Sequence, residues 1–205
     1  MKGLLCIPEM AVAILRDVGP KTMTRRVIVP QPPHTTAGFE LQDDGLWHPY
    51  EWIHGRQAPA DAAVRCDYKI SECRCLLTTW AVAKQFDDRK PLELSARIAQ
   101  CRLWHAGLGA PKPEWAGKSR PGRFLPNHLR PLMPVVEIVS VRAERVQDIT
   151  PNDCRAEGMT AKNNDIGVRY AFGQLWNSIN EKRGYGWYVN PWVWVIGFKR
   201  ITNLP

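Results

Sequence analysis

Between Lys21 and Arg26 the sequence places one Lys, two Thr and two Arg in six consecutive positions, Lys21-Thr22-Met23-Thr24-Arg25-Arg26. These types can do chemistry together. A Thr hydroxyl is a poor nucleophile until a neighbouring base takes its proton. A Lys can be that base when burial or nearby cations lower its pKa, and Arg25 and Arg26 supply such cations. A carboxylic acid from another element could then protonate a leaving amine. The same residues suit a second use. Lys21, Arg25 and Arg26 can make a phosphate-contacting patch where a loop enters a strand, with Thr24 an ordinary β-branched strand residue.

A second basic stretch lies at 107–131, rich in Gly and Pro. It carries Lys112, Lys118, Arg120, Arg123 and Arg130, with Trp115 and Phe124 among them. Cations interleaved with aromatics suit a polynucleotide: the charges hold phosphate and the rings stack on bases. Lys118, Arg120 and Arg123 are the candidates for that role. Trp47, Trp52, Trp104 and Trp115 also lie in polar, Pro-rich or basic surroundings, where they can stack bases or pack beneath the irregular segments.

Metal chemistry finds little support. Cys66, Cys73, Cys75, Cys101 and His105 could be drawn together as a zinc site, but no Cys-x-x-Cys pair occurs. His34, His48, His54, His105 and His128 fall in irregular segments without ligand spacing. No metal and no cofactor are therefore assigned. The six cysteines are scattered and read as reduced thiols of a cytoplasmic protein.

The composition bounds these readings. In 205 residues, 28 cations face 20 acids, a net charge of +8, and eighteen of the cations are Arg. That excess points to an anionic partner, nucleic acid or a nucleotide before others. Hydrophobic residues make up 44%, too many for a disordered chain. No apolar run reaches the length of a membrane span, and the short run Leu4–Ile7 is broken by Pro8 and Glu9 before it could serve as a secretion signal.

Several elements must position the polar segment. Lys2 to Ile7 reads as a short strand, followed by a helix from Pro8 that ends at Gly19-Pro20. A strand Val27-Ile28-Val29 follows the polar segment. Residues 30–65 show little periodicity. A strand is expected over 73–83, and a helix over Pro91–Leu103 with Leu94, Ile98 and Cys101 on one face. Val135 to Val146 alternates as a long strand. Thr150-Pro151-Asn152-Asp153 is a helix start with a Thr cap, and Gly158 stops that helix. Asp165 is placed to cap a further helix whose Val168, Phe172, Leu175, Trp176 and Ile179 recur at helical spacing. Trp192 to Ile201 closes as an apolar strand. Trp176, Trp192 and Trp194 are expected in the core. Short strands around few helices suggest an α+β protein, a small β-barrel carrying a large insertion.

The opening Gly19-Pro20-Lys21-Thr22-Met23-Thr24-Arg25-Arg26 and the closing Asn190-Pro191-Trp192-Val193-Trp194-Val195-Ile196-Gly197-Phe198-Lys199-Arg200 resemble the ASCH domain family. Segments 142–149, 153–158 and 175–180 resemble a long-insert subgroup common in bacteriophages and prophages. The resemblance implies a PUA-like β-barrel with a few flanking helices, formed as one domain from about 1–30 and 132–205, with the partly irregular insertion at 31–131. It further implies similarity to an amidohydrolase that removes the acetyl group from N4-acetylcytidine. On that likeness Thr24 is the nucleophile, Lys21 the base and Glu157 the acid/base, while Thr22, Arg25 and Arg26 contact substrate. Two departures stand out. Gly197 occupies a position where the subgroup usually has an acid, and Leu77-Thr78 replaces an Arg-Glu pair of its middle strand.

The function expected is recognition of a nucleobase, nucleoside or RNA, with hydrolysis of an amide on a modified base. The alternatives are a non-catalytic RNA- or DNA-binding module and a phage protein-binding factor.

Overall fold

A computed structural model of the chain describes residues 2–60, 62–95, 102–108, 111–160 and 164–201. In chain order the elements are β1 (Lys2–Leu5), α1 (Pro8–Leu15), β2 (Met23–Val27), β3 (Gly38–Leu41), β4 (Trp47–Ile53), β5 (Arg56–Pro59), β6 (Cys73–Leu77), β7 (Trp80–Val82), β8 (Leu103–His105), β9 (Val135–Arg145), α2 (Pro151–Ala156), α3 (Asp165–Asn180) and β10 (Trp192–Ile201). Five strands hydrogen-bond in the order β1-β6-β9-β10-β2. The protein is thus mixed α+β. The order ends at β1 and at β2, so among the described residues the strands form no closed barrel. Of the strands in the 31–131 excursion, β6 joins this sheet between β1 and β9, while the others pair among themselves as β3-β4-β5 and β7-β8.

The chain divides into two compact units, one of 1–22, 71–138 and 198–205, the other of 23–70 and 139–197. In the first, β1 runs parallel to β6, from Lys2 opposite Arg74 to Leu5 opposite Leu77, and β6 runs antiparallel to the start of β9. Pro8 opens α1, which buries Ala11, Ala13 and Ile14. The core gathers Cys75, Leu77, Trp80, Val82, Leu94, Leu125, Leu129, Met133 and Val135. The Gly/Pro-rich stretch contributes to it: Gly122–Phe124 and Asn127–Leu132 are 3-10 turns that carry Leu125 and Leu129 inward. Trp80 is fully buried, and its indole N–H donates to the Pro121 carbonyl at 3.2 Å.

The helix expected over Pro91–Leu103 is replaced at both ends of that span. Pro91–Glu93 is a single 3-10 turn, with the Glu93 carboxylate accepting from the Lys90 N–H at 3.1 Å, and Leu103 already belongs to β8. Leu94 is buried as expected, while Ile98 and Cys101 lie outside the described residues.

In the second unit β2 and β10 are antiparallel, from Val27 opposite Val193 to Met23 opposite Gly197. Thr150 caps α2, its hydroxyl accepting from the Asp153 N–H at 3.1 Å, and Gly158 at φ +90° ends the turn that follows. The cap of α3 is Asn164 rather than Asp165: its side chain accepts from the Gly167 N–H, leaving Asp165 as the first-turn acid. The helix buries Val168, Phe172, Gly173, Trp176 and Asn180 along one face. Val168, Phe172 and Trp176 pack with Val146, Ile149, Cys154, Val193 and Val195.

Residues 38–59, expected to be irregular, form an antiparallel three-stranded sheet. An aromatic chain fixes it, with Phe39 edge-on to Trp192 at 5.1 Å and Trp47 against Trp194 at 5.3 Å. Among the described residues no helix is long and apolar enough to cross a membrane.

Candidate functional site

The polar segment becomes β2, and strand geometry divides its side chains. Successive residues of a strand point to opposite faces. Met23 and Val27 pack with the α2–α3 cluster, so Arg25, between them in register, shares that face. Thr24 and Arg26 take the other face, the one on which Trp194 pairs with Arg26 and Ile196 with Thr24.

Arg25 is the centre of the site. Its side chain is 1% exposed and reaches three carboxylates. Nε donates to Glu144 at 3.1 Å, Nη2 donates to Glu144 and, at 3.0 Å, to Asp153, and Nη1 donates to Glu157 at 3.3 Å. The guanidinium also lies 5.8 Å from the Phe172 ring centre. Arg142 closes the network from the solvent side, donating to Glu144 at 3.0 Å and to Asp153 at 2.9 Å. Burial pulls the Arg25 guanidinium down most strongly of any single influence. The combined attraction of Glu157, Glu144 and Asp153 outweighs it and holds the group above its ordinary value. Every carboxylate here faces a fixed cation, as a buried charge requires.

The local folding explains the convergence. Glu144 follows Arg142 by two residues on β9, so both project from one face. Asp153 is on the first turn of α2 and Glu157 is its C-terminal cap, one helical turn apart on the same side. The sequence singles out Arg25 and Glu157, and reads Asp153 only as a capping acid. Glu144 is not among the residues the sequence singles out, although the Arg142-x-Glu144 spacing on an alternating strand marks a same-face ion pair.

The structure therefore joins Arg25 to Glu157 and sets Thr24 on the opposite face of the strand. Lys21 belongs to the first unit, where it is 2% exposed and its backbone N–H donates to Ala13 at 2.8 Å. Thr22 accepts there from the Phe198 N–H. Gly197 lies opposite Met23, and a Cβ built on it would stand 2.3 Å from the Ser140 hydroxyl. A side chain at 197 requires that hydroxyl to turn away. Leu77 and Thr78, at the second departure, are both buried.

The second basic stretch divides likewise. Arg120 is engaged inward, its Nη2 donating to the Phe86, Asp87 and Arg89 carbonyls at 3.2–3.3 Å, with its guanidinium over the Trp80 ring. Lys118 is exposed, 3.9 Å from Asp88. Arg123 lies 4.8 Å over the ring of the exposed Phe124. Among the tryptophans, Trp176, Trp192, Trp194 and Trp104 are buried and Trp52 is exposed. No group of His, Cys, Asp and Glu among the described residues could hold a metal ion.

Cys154 lies in the cluster beneath the network, and burial pushes its thiol up to about 11, against a smaller opposing pull from Arg25 and Arg169. The folded state therefore keeps a proton on this sulfur that the unfolded chain loses near the ordinary value of 9.0. Since the native state then binds more protons, stability should fall as pH rises between those two values. Thermal unfolding at pH 8 and pH 10.5 is expected to show a drop that Cys154→Ala reduces. An identical drop in the variant would assign the loss to other groups.

The fold and site together define a mixed α+β protein with a buried Arg–carboxylate network joining β2, β9 and α2. Comparison with known proteins gives no matching family model, no matching curated protein and no matching solved structure.

Proposed function

We propose that the chain is an ASCH-type protein of the PUA-like group, of the long-insert kind found in phages and prophages. It recognises a nucleobase or nucleoside, free or within RNA, in the cytoplasm (the host cytoplasm if phage-encoded). Binding without hydrolysis is the reading best supported. The observation that carries it is the partition of β2: the Glu157 carboxylate is tied to Arg25, and Thr24 lies on the other face. A nucleophile and its acid/base must reach the same atoms of one substrate. The nucleic-acid partner is supported by the net charge of +8 and by Lys118 and the Arg123–Phe124 pair on the surface, a cation beside an exposed ring.

Amide hydrolysis is the second reading. It is supported by the burial of Lys21 and Thr24, 2% and 4% exposed, since burial is what a lysine base requires. Incubation with N4-acetylcytidine and with acetylated RNA separates the two. No acetate release is expected, and RNA affinity should fall steeply with salt, with a log–log slope of about −0.7 per phosphate contacted. Acetate release abolished by Thr24→Ala would establish hydrolysis instead. Failure to bind either RNA or nucleoside at low salt would end the recognition reading.

A further inference from the structure

A cavity of about 540 Å3 opens in the second unit, lined by Leu41, Leu46, Trp47, Tyr68, Ile70 and Val141 on its apolar and aromatic side and by Arg65 and Lys69 among its charged residues. The volume is within the range of small-molecule sites. Its aromatic wall is held from behind. Trp47 rests against Trp194, which rests in turn against Phe39 at 6.0 Å, so the indole is braced by the unit's core. The backbone is fixed too: Trp47 and Val64 exchange hydrogen bonds at 2.9 and 2.7 Å, which tethers the segment bearing Arg65, Tyr68 and Lys69 to the start of β4. Val141 comes from β9 and stands one residue from Arg142, on the opposite face of the strand from the Arg25 network.

The charges select the ligand. Arg65 and Lys69 are exposed cations at this cavity. The acid among the lining residues, Asp44, is already engaged: its carboxylate accepts from the Leu46 N–H at 2.8 Å and from His48 Nε2 at 2.9 Å. Those two hydrogen bonds hold it below its usual range. A braced indole and a phenol supply surface for a flat ring, and the two cations supply a pole for an anion beside it.

We propose that this cavity binds a planar heteroaromatic ring bearing an anionic group, of which a nucleoside monophosphate is the representative. The site shares no residue with the Arg25 network and goes beyond the function proposed above. The ligand can be a free nucleotide or one nucleotide of a strand. The test uses calorimetry and tryptophan fluorescence on the full chain with cytidine and adenosine monophosphates, the parent nucleosides and a short oligoribonucleotide. It compares the wild type with Arg65→Ala/Lys69→Ala, both changes being at exposed positions. Monophosphates should quench tryptophan emission and bind more tightly than nucleosides, and the double variant should bind about tenfold more weakly. A tighter oligonucleotide, weakened by the same variant, identifies the strand as the source; an oligonucleotide no better than the monophosphate identifies the free nucleotide. No binding of monophosphates at millimolar concentration, or unchanged affinity in the double variant, overturns the proposal. RNA binding that ignores the double variant leaves the wider function standing and removes the cavity from it. Monophosphate binding that needs Arg65 and Lys69, without RNA binding, does the reverse.

Discussion

Arg25→Ala is expected to lose about 3–5 kcal/mol of stability, because it strands buried carboxylates that now share one cation. Glu157 is the most buried of the three, its side chain 4% exposed, and it loses its ion pair with Arg25. Glu144 and Asp153 retain Arg142, itself 43% exposed and well hydrated. Urea unfolding of wild type and variant at neutral pH, with the slope unchanged, measures the loss. Arg25→Lys supplies a point charge that cannot reach three carboxylates in one plane, so it should recover only part of the loss. A loss under about 1 kcal/mol for Arg25→Ala, at the level of an exposed pair, would mean the network contributes no more than surface charge does.

Gly122→Ala is expected to be nearly as damaging for a wholly different reason. A Cβ at 122 would lie 2.6 Å from the Leu77 carbonyl carbon, 2.7 Å from the Thr78 nitrogen and 2.8 Å from the Leu77 oxygen. All three are backbone atoms at the end of β6, so no side chain can rotate away. Either β6 shifts or the 122–124 turn lifts, and both neighbours feed the core around Trp80. The cost of such overpacking is about 3 kcal/mol, or roughly 6–12 °C in melting temperature for a chain of this size. Gly186→Ala is the control, since its new Cβ would meet nothing closer than 3.5 Å. Equal melting temperatures for the two variants would show that the turn yields freely.

The two largest effects fall on residues of very different legibility. Arg25 stands in a segment that any reading for chemistry would mark, yet its residue type suggests a cation for substrate. What it does depends on Glu144 and Asp153, which are 119 and 128 positions away. Nothing local records that distance. Gly122 sits among prolines and glycines that read as loop, and its tight approach to β6 follows from a tertiary contact alone. The elements that were legible carry their signals within a few residues: the Thr150 cap, the Gly158 stop, the alternation of β9 and the apolar run of β10. The sheet of β3, β4 and β5 was not legible, because Pro49 and several polar side chains interrupt the alternation and its register comes from neighbouring strands. The apolar face assigned to 91–103 was right in placing Leu94 inside and wrong in extending a helix from Pro91, where a 3-10 turn gives way after Glu93.

The pairing of β2 with β10 also sets an order of events during synthesis. Val27 meets Val193 across 166 positions of chain, and Met23 meets Gly197 across 174. At ribosomal speeds of about 5–20 residues per second, β2 leaves the ribosome roughly 10–30 s before its partner strand exists. For most of that interval the carboxylates that Arg25 will bind are not yet made, and its strand has no β10 to pair with. An early strand that opens on Met23-Thr24-Arg25-Arg26 is well suited to wait, since a pair of adjacent like charges keeps nascent chains from joining edge to edge. The guanidinium that later binds three carboxylates inside the fold is, until then, one of two adjacent charges on an unpaired strand.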